Sequence, residues 1–313
     1  SVTRAGYIKR TSPRSFNAST LKEVGKRDDD ELIFVEPAKT TQHLLLFTNL
    51  GNAIYRPIHE LTDTKWKDIG EHLSQTLTNF EQEEEILFAE IVDRFEGVTY
   101  FAATQQGQIK RFERKELSPW RTYRSKSTKY AKLKDQDDRI VAVAPVVLED
   151  IMIITKNGYG LRFNIEEVPV VGAKAAGVKA INLKDGDQVA AAFKSTTPSM
   201  YILTQRGSLK RMLQDDISVT SRAKRGLQVL RELKNKPHRV FKAGPVFTDQ
   251  GDFDLFTSQE EVAEQDQILH ITSTTGQVTE VDLTQLSISE RTSNGSFVND
   301  SISDQEVFSA TIK

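Results

Sequence analysis

Arginine recurs in this chain at a fixed distance from glycine. Gly6, Gly107, Gly158 and Gly207 are each followed four residues later by Arg10, Arg111, Arg162 and Arg211, and Lys9, Lys110 and Lys210 precede three of them. Cations repeated in one register suit phosphate binding: guanidinium donates through a planar fork, ammonium acts as a compact point charge, and neither needs a cofactor. In a second-copy variant, "TNLGNAIYR", the arginine is Arg56, read as displaced by one extra residue; in the sixth copy the position is Glu280. Nothing comparable points to catalysis. His43, His59, His72, His238 and His270 have no metal-ligand spacing, and no phosphate loop or Gly-x-Ser-x-Gly elbow occurs. Zero cysteines leave no disulfide or thiolate metal site. The catalytic and metal sets are therefore read as empty, and no cofactor is expected.

The elements that carry these cations are hairpins. The glycines Gly6, Gly51, Gly107, Gly158, Gly207 and Gly276 each close a short turn, with Thr three residues earlier in five copies and Ser273 in the sixth. A hydroxyl bonds nearby backbone and Gly tolerates positive φ, so turn chemistry explains both. Apolar, β-prone runs such as "HLLLFT", "DIMIITK" and "SMYILT" enter the turns. A second element recurs six times, a mostly acidic lead before an apolar run: "RDDDELIFVEPA", "EQEEEILFAEIV", "DQDDRIVAVAPVV", "DGDQVAAAF", "NKPHRVFKAGPV" (without acids) and "SDQEVFSATI". The predicted class is all-β: one domain over residues 1–313, a six-bladed β-pinwheel with hairpins near 1–12, 43–58, 98–113, 150–165, 199–213 and 268–283. Each lead is read as preceding its hairpin, so the chain starts with a hairpin lacking its lead and ends with a lead lacking its hairpin. The last strand is then expected to pair with the first hairpin and close a ring. Helix signals are weak, with a turn or two expected in 63–80. No apolar run is long enough to span a membrane, and Ser1, which opens inside a strand, reads as a cut in a longer protein.

Net charge is −2, so any polyanion site must rest on patches. Residues 108–134 hold ten Lys or Arg against two Glu, with Trp120, Tyr123 and Tyr130 interleaved. Residues 206–236 hold nine against three acids, including "SRAKRG", whereas residues 243–290 have ten acids and no Lys or Arg. The arginines are expected beyond the core, at the outer ends of the blades, where they form a basic band. The predicted phosphate-binding set is Lys9, Arg10, Arg56, Lys110, Arg111, Arg121, Arg124, Lys126, Lys129, Arg162, Lys174, Lys179, Lys210, Arg211, Arg222, Lys224 and Arg225. The loop "GAKAAGVKA", residues 172–180, could add backbone amides, although Gly172 and Gly177 serve equally well as plain turn residues. A polyanion should touch blades one, three, four and five and avoid the sixth. The blander alternative pairs each arginine with a neighbouring acidic lead.

The six T-x-x-G-x-x-x-R hairpins, with variable basic segments between them, resemble the C-terminal domains of the A subunits of bacterial type IIA topoisomerases, gyrase and topoisomerase IV, over essentially the whole chain. The resemblance implies a β-pinwheel whose blades exchange strands, double-stranded DNA bent around a basic rim, and a catalytic tyrosine in a region of the polypeptide outside this chain. It also implies two protein partners, the N-terminal breakage-reunion part of the same polypeptide and the ATPase B subunit, with no membrane and a bacterial cytoplasmic location. The parent would be an ATP-dependent type II topoisomerase. The glutamine-, arginine- and glycine-rich box of gyrase A subunits has only Arg14, Lys22, Gly25, Lys26 and Arg27 as echoes between residues 12 and 30. That departure favours the topoisomerase IV branch, with a gyrase wrapping domain as the alternative and a protein-binding propeller as a further one.

Overall fold

One turn chemistry closes the hairpins. In five of them the glycine amide donates to the carbonyl of the hydroxyl residue three positions back: Gly6 to Thr3, Gly51 to Thr48, Gly158 to Thr155, Gly207 to Thr204 and Gly276 to Ser273, at 2.9–3.2 Å. The hydroxyls of the same residues accept the amides just past the glycine, from Tyr7, Asn52, Tyr159, Ser208 and Gln277, at 3.1–3.2 Å. All six turn glycines have φ between +77° and +95°, a region in which an L side chain is strained.

The acidic leads close the same turns from the other side. Asp30 accepts from the Ala5 amide and Asp187 from the Asn157 amide, at 2.9 and 3.0 Å, while Glu84 accepts from Thr48 Oγ1 and Asn52 Nδ2 at 2.6 and 2.7 Å. Asp138 is likewise buried, and in the acid-free fifth lead His238 Nδ1 meets Thr204 Oγ1 at 3.1 Å. Asp30, Glu84 and Asp187 are thus buried caps of the turns. They are neither solvated strand ends nor partners of the hairpin arginine.

The computed structural model describes residues 1–247, 267–299 and 306–312. Each first hairpin strand is central. His43–Thr48 pairs with Asn52–Pro57 on one side and Ile86–Val92 on the other; Asp150–Thr155 pairs with Tyr159–Asn164 and Val189–Lys194; Ser199–Thr204 pairs with Ser208–Leu213 and Val240–Val246. Flanked on both sides and covered on both faces, these strands read as continuous apolar runs instead of alternating ones. The pairing corrects the expected ring closure. Val307–Ile312 pairs with Ile268–Ser273 of the last hairpin, and Leu32–Phe34 pairs with Val2–Thr3 of the first. Each acid-led strand therefore completes the hairpin before it, and the chain ends do not supply each other's missing strand.

A two-residue fourth strand arrives by exchange. Glu71–His72, Thr128–Lys129, Val178–Lys179, Leu227–Gln228 and Ser296–Phe297 each lie after one hairpin and pair with the second strand of the hairpin before it. We call these connecting segments crossovers. The first five sheets are four-stranded and the sixth, among the described residues, is three-stranded. The result is an all-β, six-bladed propeller arrangement. The segment 63–80, where a turn or two of helix was expected, holds one 3-10 turn, Leu73–Gln75, and the one α-helical turn among the described residues is Pro13–Asn17.

The chain divides into two compact units, one of residues 1–104, 109–146 and 169–178, the other of residues 105–108, 147–168 and 179–313. The first has an aromatic core in which Phe47 lies 5.0 Å from Tyr100 and Phe112 stacks on Tyr130 at 5.3 Å between centroids. In the second, Met152, Ile154, Met200, Ile202 and Met212 form an aliphatic core. No helix among the described residues is long and apolar enough to cross a membrane.

Candidate nucleic-acid interface

Adjacent residues of the Lys-Arg pairs face opposite ways. Lys9, Lys110 and Lys210 are only 2–3% exposed. Lys110 Nζ donates to the carbonyls of Tyr130 (2.9 Å), Gly172 (2.9 Å), Ala173 (3.2 Å) and Ala175 (3.0 Å). Lys9 Nζ donates to Trp66 and Asp68 carbonyls at 2.6 Å, and Lys210 Nζ to those of Val229 and, at 2.6 Å, Arg291. In the third and fifth sheets the lysine thereby ties the crossover leaving its hairpin to the crossover arriving at its own sheet. Burial pushes the Lys110 ammonium down to about 8 and Lys210 to about 7 from the ordinary 10.5, and lowers Lys9 as well.

Arg56 does the same work in the second sheet. It is buried, and donates to the carbonyls of Tyr55, Tyr123 and Arg124 and to Thr76 Oγ1 at 2.8–3.1 Å. The register shows no inserted residue. Leu45 faces Tyr55 as Phe101 faces Arg111, so Tyr55 holds the arginine position and Arg56 the next one. Lys9, Lys110, Lys210 and Arg56, predicted as phosphate ligands, are therefore enclosed structural cations. Carbonyls turned inward by the crossovers need donors, and desolvated cations meet that need.

Arg10, Arg111, Arg162 and Arg211 are half-exposed. Arg111, Arg162 and Arg211 do not lie beyond the sheet, since the strands Gln108–Glu113, Tyr159–Asn164 and Ser208–Leu213 run past them, whereas Arg10 follows the end of Tyr7–Ile8. Each arginine's backbone forms a parallel bridge to a crossover, Arg10 to Asp63, Arg111 to Val170, Arg162 to Val219 and Arg211 to Ile288. Arg162 is also bound to Asp150 (3.2 Å) and Asp215 (2.7 Å), and Arg211 to Ser199 Oγ and the Thr284 carbonyl. For Arg162 the local pairing holds, though Asp150 begins its own hairpin and is no acidic lead.

The remaining predicted cations sit on crossovers. Arg121, Arg124, Lys126, Lys129, Lys174, Lys179, Lys224 and Arg225 are exposed. Arg124 pairs with Glu60 at 3.1 Å, Lys129 donates to Leu50 O and Asn52 Oδ1, and Lys224 donates to Thr220 Oγ1. Arg222 is half-buried and donates to the Glu167 and Lys179 carbonyls. The loop 172–180 presents carbonyls to Lys110, and its Ala173 and Ala175 amides are taken by Glu116 and Gly172. Gly177 has φ +89°, and a Cβ there would meet Ile109 O at 2.4 Å. Gly70, Gly226 and Gly295 make the same approach, to Ile8, Gly160 and Leu209 carbonyls, at 2.3–2.4 Å. These glycines stand three residues before Leu73, Val229 and Val298, whose amides donate to the turn glycines Gly6, Gly158 and Gly207. This second glycine repeat was the available sequence signal for the crossovers.

The six sheets, the first five completed by an exchanged strand, define this as a propeller-class domain. The family described as "DNA gyrase C-terminal domain, beta-propeller" matches residues 1–39, 42–93, 100–146, 149–196 and 199–246, and the chain belongs to this family. At finer scale it is 67% identical over 312 residues to the A subunit of DNA topoisomerase 4 from Streptococcus pyogenes serotype M3 (99% of this chain, 38% of the relative). Identity is 66% over 314 residues to the equivalent protein of Streptococcus pneumoniae serotype 4 (100% and 38%) and 43% over 242 residues to that of Bacillus subtilis (76% and 30%). The chain thus spans well under half the length of these relatives. A crystal structure of the C-terminal domain of DNA topoisomerase IV matches with TM-score 0.85 at 34% identity, covering 99% of this chain and 91% of that one. A DNA gyrase A C-terminal domain, at 20% identity and TM-score 0.65 over 99% and 97% of the two chains, shares the fold.

Proposed function

We propose that this chain is the DNA-binding accessory domain of a topoisomerase IV A subunit in the bacterial cytoplasm. It holds and bends duplex DNA through phosphate contacts and orients it for strand passage by the breakage-reunion part of the same polypeptide, with the ATPase B subunit supplying energy. The carrying observation is that Arg121, Lys126, Lys174, Lys179 and Arg225, all exposed on crossovers, have no side-chain hydrogen bond or ion pair among the described residues. Cations free to meet phosphates give affinity that is largely sequence-independent. Bending 20–30 bp by 40–90° costs of order 1–6 kcal/mol, which an extended series of such contacts can offset.

The test is fluorescence anisotropy of a labelled duplex of about 40 bp over a salt series. Wild type should bind steeply against log salt, and changing the five residues to Ala should flatten the slope by about 0.9 for each phosphate no longer neutralised. Absence of binding at low salt, or an unchanged slope in the variant, would overturn the reading.

A further inference from the structure

The crossovers carry an apolar position as well as cations. Val170 and Val219 bridge the backbones of Arg111 and Arg162, through Val171 N to Arg111 O and Thr220 N to Arg162 O at 2.9 Å. Residues opposed in a bridge project side by side, so each valine stands next to its arginine on one face. Both are β-branched apolar residues left about half exposed, at 47% and 50%. Trp120 lies ten residues before Tyr130, the spacing of Val170 before Ala180, and is 71% exposed. Core packing does not account for three exposed apolar side chains at one crossover position. Charge distinguishes their surroundings: Arg121 and Arg124 follow Trp120, Lys174 follows Val170, and Lys224 and Arg225 follow Val219, all exposed. The matching position of the last crossover is Ile288, near Glu290 and the half-buried Arg291, and that of the second-hairpin crossover is Asp63, beside Arg10.

We propose that Trp120, Val170 and Val219 are direct DNA contacts that pack on the apolar deoxyribose faces between phosphates held by the neighbouring cations. This rests on the DNA-binding reading above and adds to it a component of affinity that salt does not screen. A duplex backbone alternates anionic phosphate with C–H-rich sugar, and an apolar side chain within a few residues of a free cation matches that alternation. Ile288 is followed by Glu290 and by Arg291, which is half-buried and donates to Gln228 O, so no exposed cation stands beside it and it lies off this path, and Asp63 opposes phosphate where the other crossovers favour it.

The test uses the same duplex. The Trp120→Ser, Val170→Thr, Val219→Thr variant should bind at least about tenfold more weakly at every salt concentration with the slope unchanged, since apolar burial is lost at all three sites. Ile288→Thr should bind as wild type does, and Asp63→Val should tighten binding about threefold. The changes are at exposed positions, so an unchanged thermal melt separates weakened DNA contact from a damaged fold. DNA should also shift the emission of Trp120, because the other tryptophan, Trp66, is buried. Wild-type binding with the expected salt slope and no loss of affinity in the triple variant would overturn this inference and leave the DNA-binding reading standing. If wild type does not bind, the broader reading fails and this one with it.

Discussion

The fifth and sixth sheets start from the same kind of hairpin and, among the described residues, differ by one strand. In the fifth, Ser296–Phe297 arrives beside Ser208–Leu213, Gly295 presses on Leu209 O, Ser208 Oγ donates to Asn294 O at 2.6 Å, and Lys210 is enclosed. In the sixth, Thr279 and Glu280 occupy the lysine and arginine positions, Val278 is exposed, and a Cβ on Gly276 would meet nothing within 4 Å. The inward cation accompanies the arriving crossover. The fourth sheet shows that the cation is one solution among others: Leu161 stands at the lysine position, the crossover still arrives as Leu227–Gln228, and Arg222 of that crossover binds backbone carbonyls instead.

The largest effect should come from the lysine. Lys210→Met leaves the inward carbonyls of Val229 and Arg291 without their donor and should cost about 3 kcal/mol, read as a lower urea midpoint, whereas Thr279→Val in the sixth sheet should move it by less than about 0.5 kcal/mol. Equal costs would break the contrast between the sheets. The pH dependence sharpens it. With the folded Lys210 at about 7 and its ordinary value at 10.5, the unfolded chain holds a proton that the folded chain has released throughout that window. Folding stability of wild type relative to Lys210→Met should therefore rise from pH 7 towards pH 10. A flat difference would mean that the carbonyls keep the ammonium charged in spite of its burial.

The glycines come next. Gly295→Ala, with positive φ and a backbone oxygen 2.3 Å from the new Cβ, should cost about 2–3 kcal/mol, and Gly276→Ala, strained in φ alone, about 1 kcal/mol. Comparable melting shifts would show that the crossover yields readily. The turn hydroxyls carry the last contrast. Thr204→Val removes the acceptor for Ser208 N and the partner of His238 and should cost about 1–2 kcal/mol; Ser273→Ala should cost less, since its turn is more exposed.

Much of the hairpin structure was legible because it is local. Thr or Ser, two residues and then Gly specify the turn within four positions, and apolar runs specify buried strands. Legibility ended where geometry is shared between distant segments. An acid-led strand between two hairpins can pair with either, and the same pattern fits both; Asp30, Glu84 and Asp187 show that it caps the turn before it. Arg56 was misplaced for a related reason, since only the pairing of Leu45 with Tyr55 reveals that nothing was inserted. The basic crossovers were recognised by charge excess, although their inward carbonyls could not be.

By itself the sequence determined six glycine-closed hairpins, the all-β class, the family, and the distribution of charge between basic and acidic stretches. Each of these follows from composition or from residues a few positions apart. Only the tertiary structure decided that of two adjacent cations the lysine enters the sheet and the arginine stays half outside. That choice depends on carbonyls contributed by a crossover some sixty to eighty residues away, as at Lys9, Lys110 and Lys210. A desolvated ammonium is tolerable only where such acceptors converge.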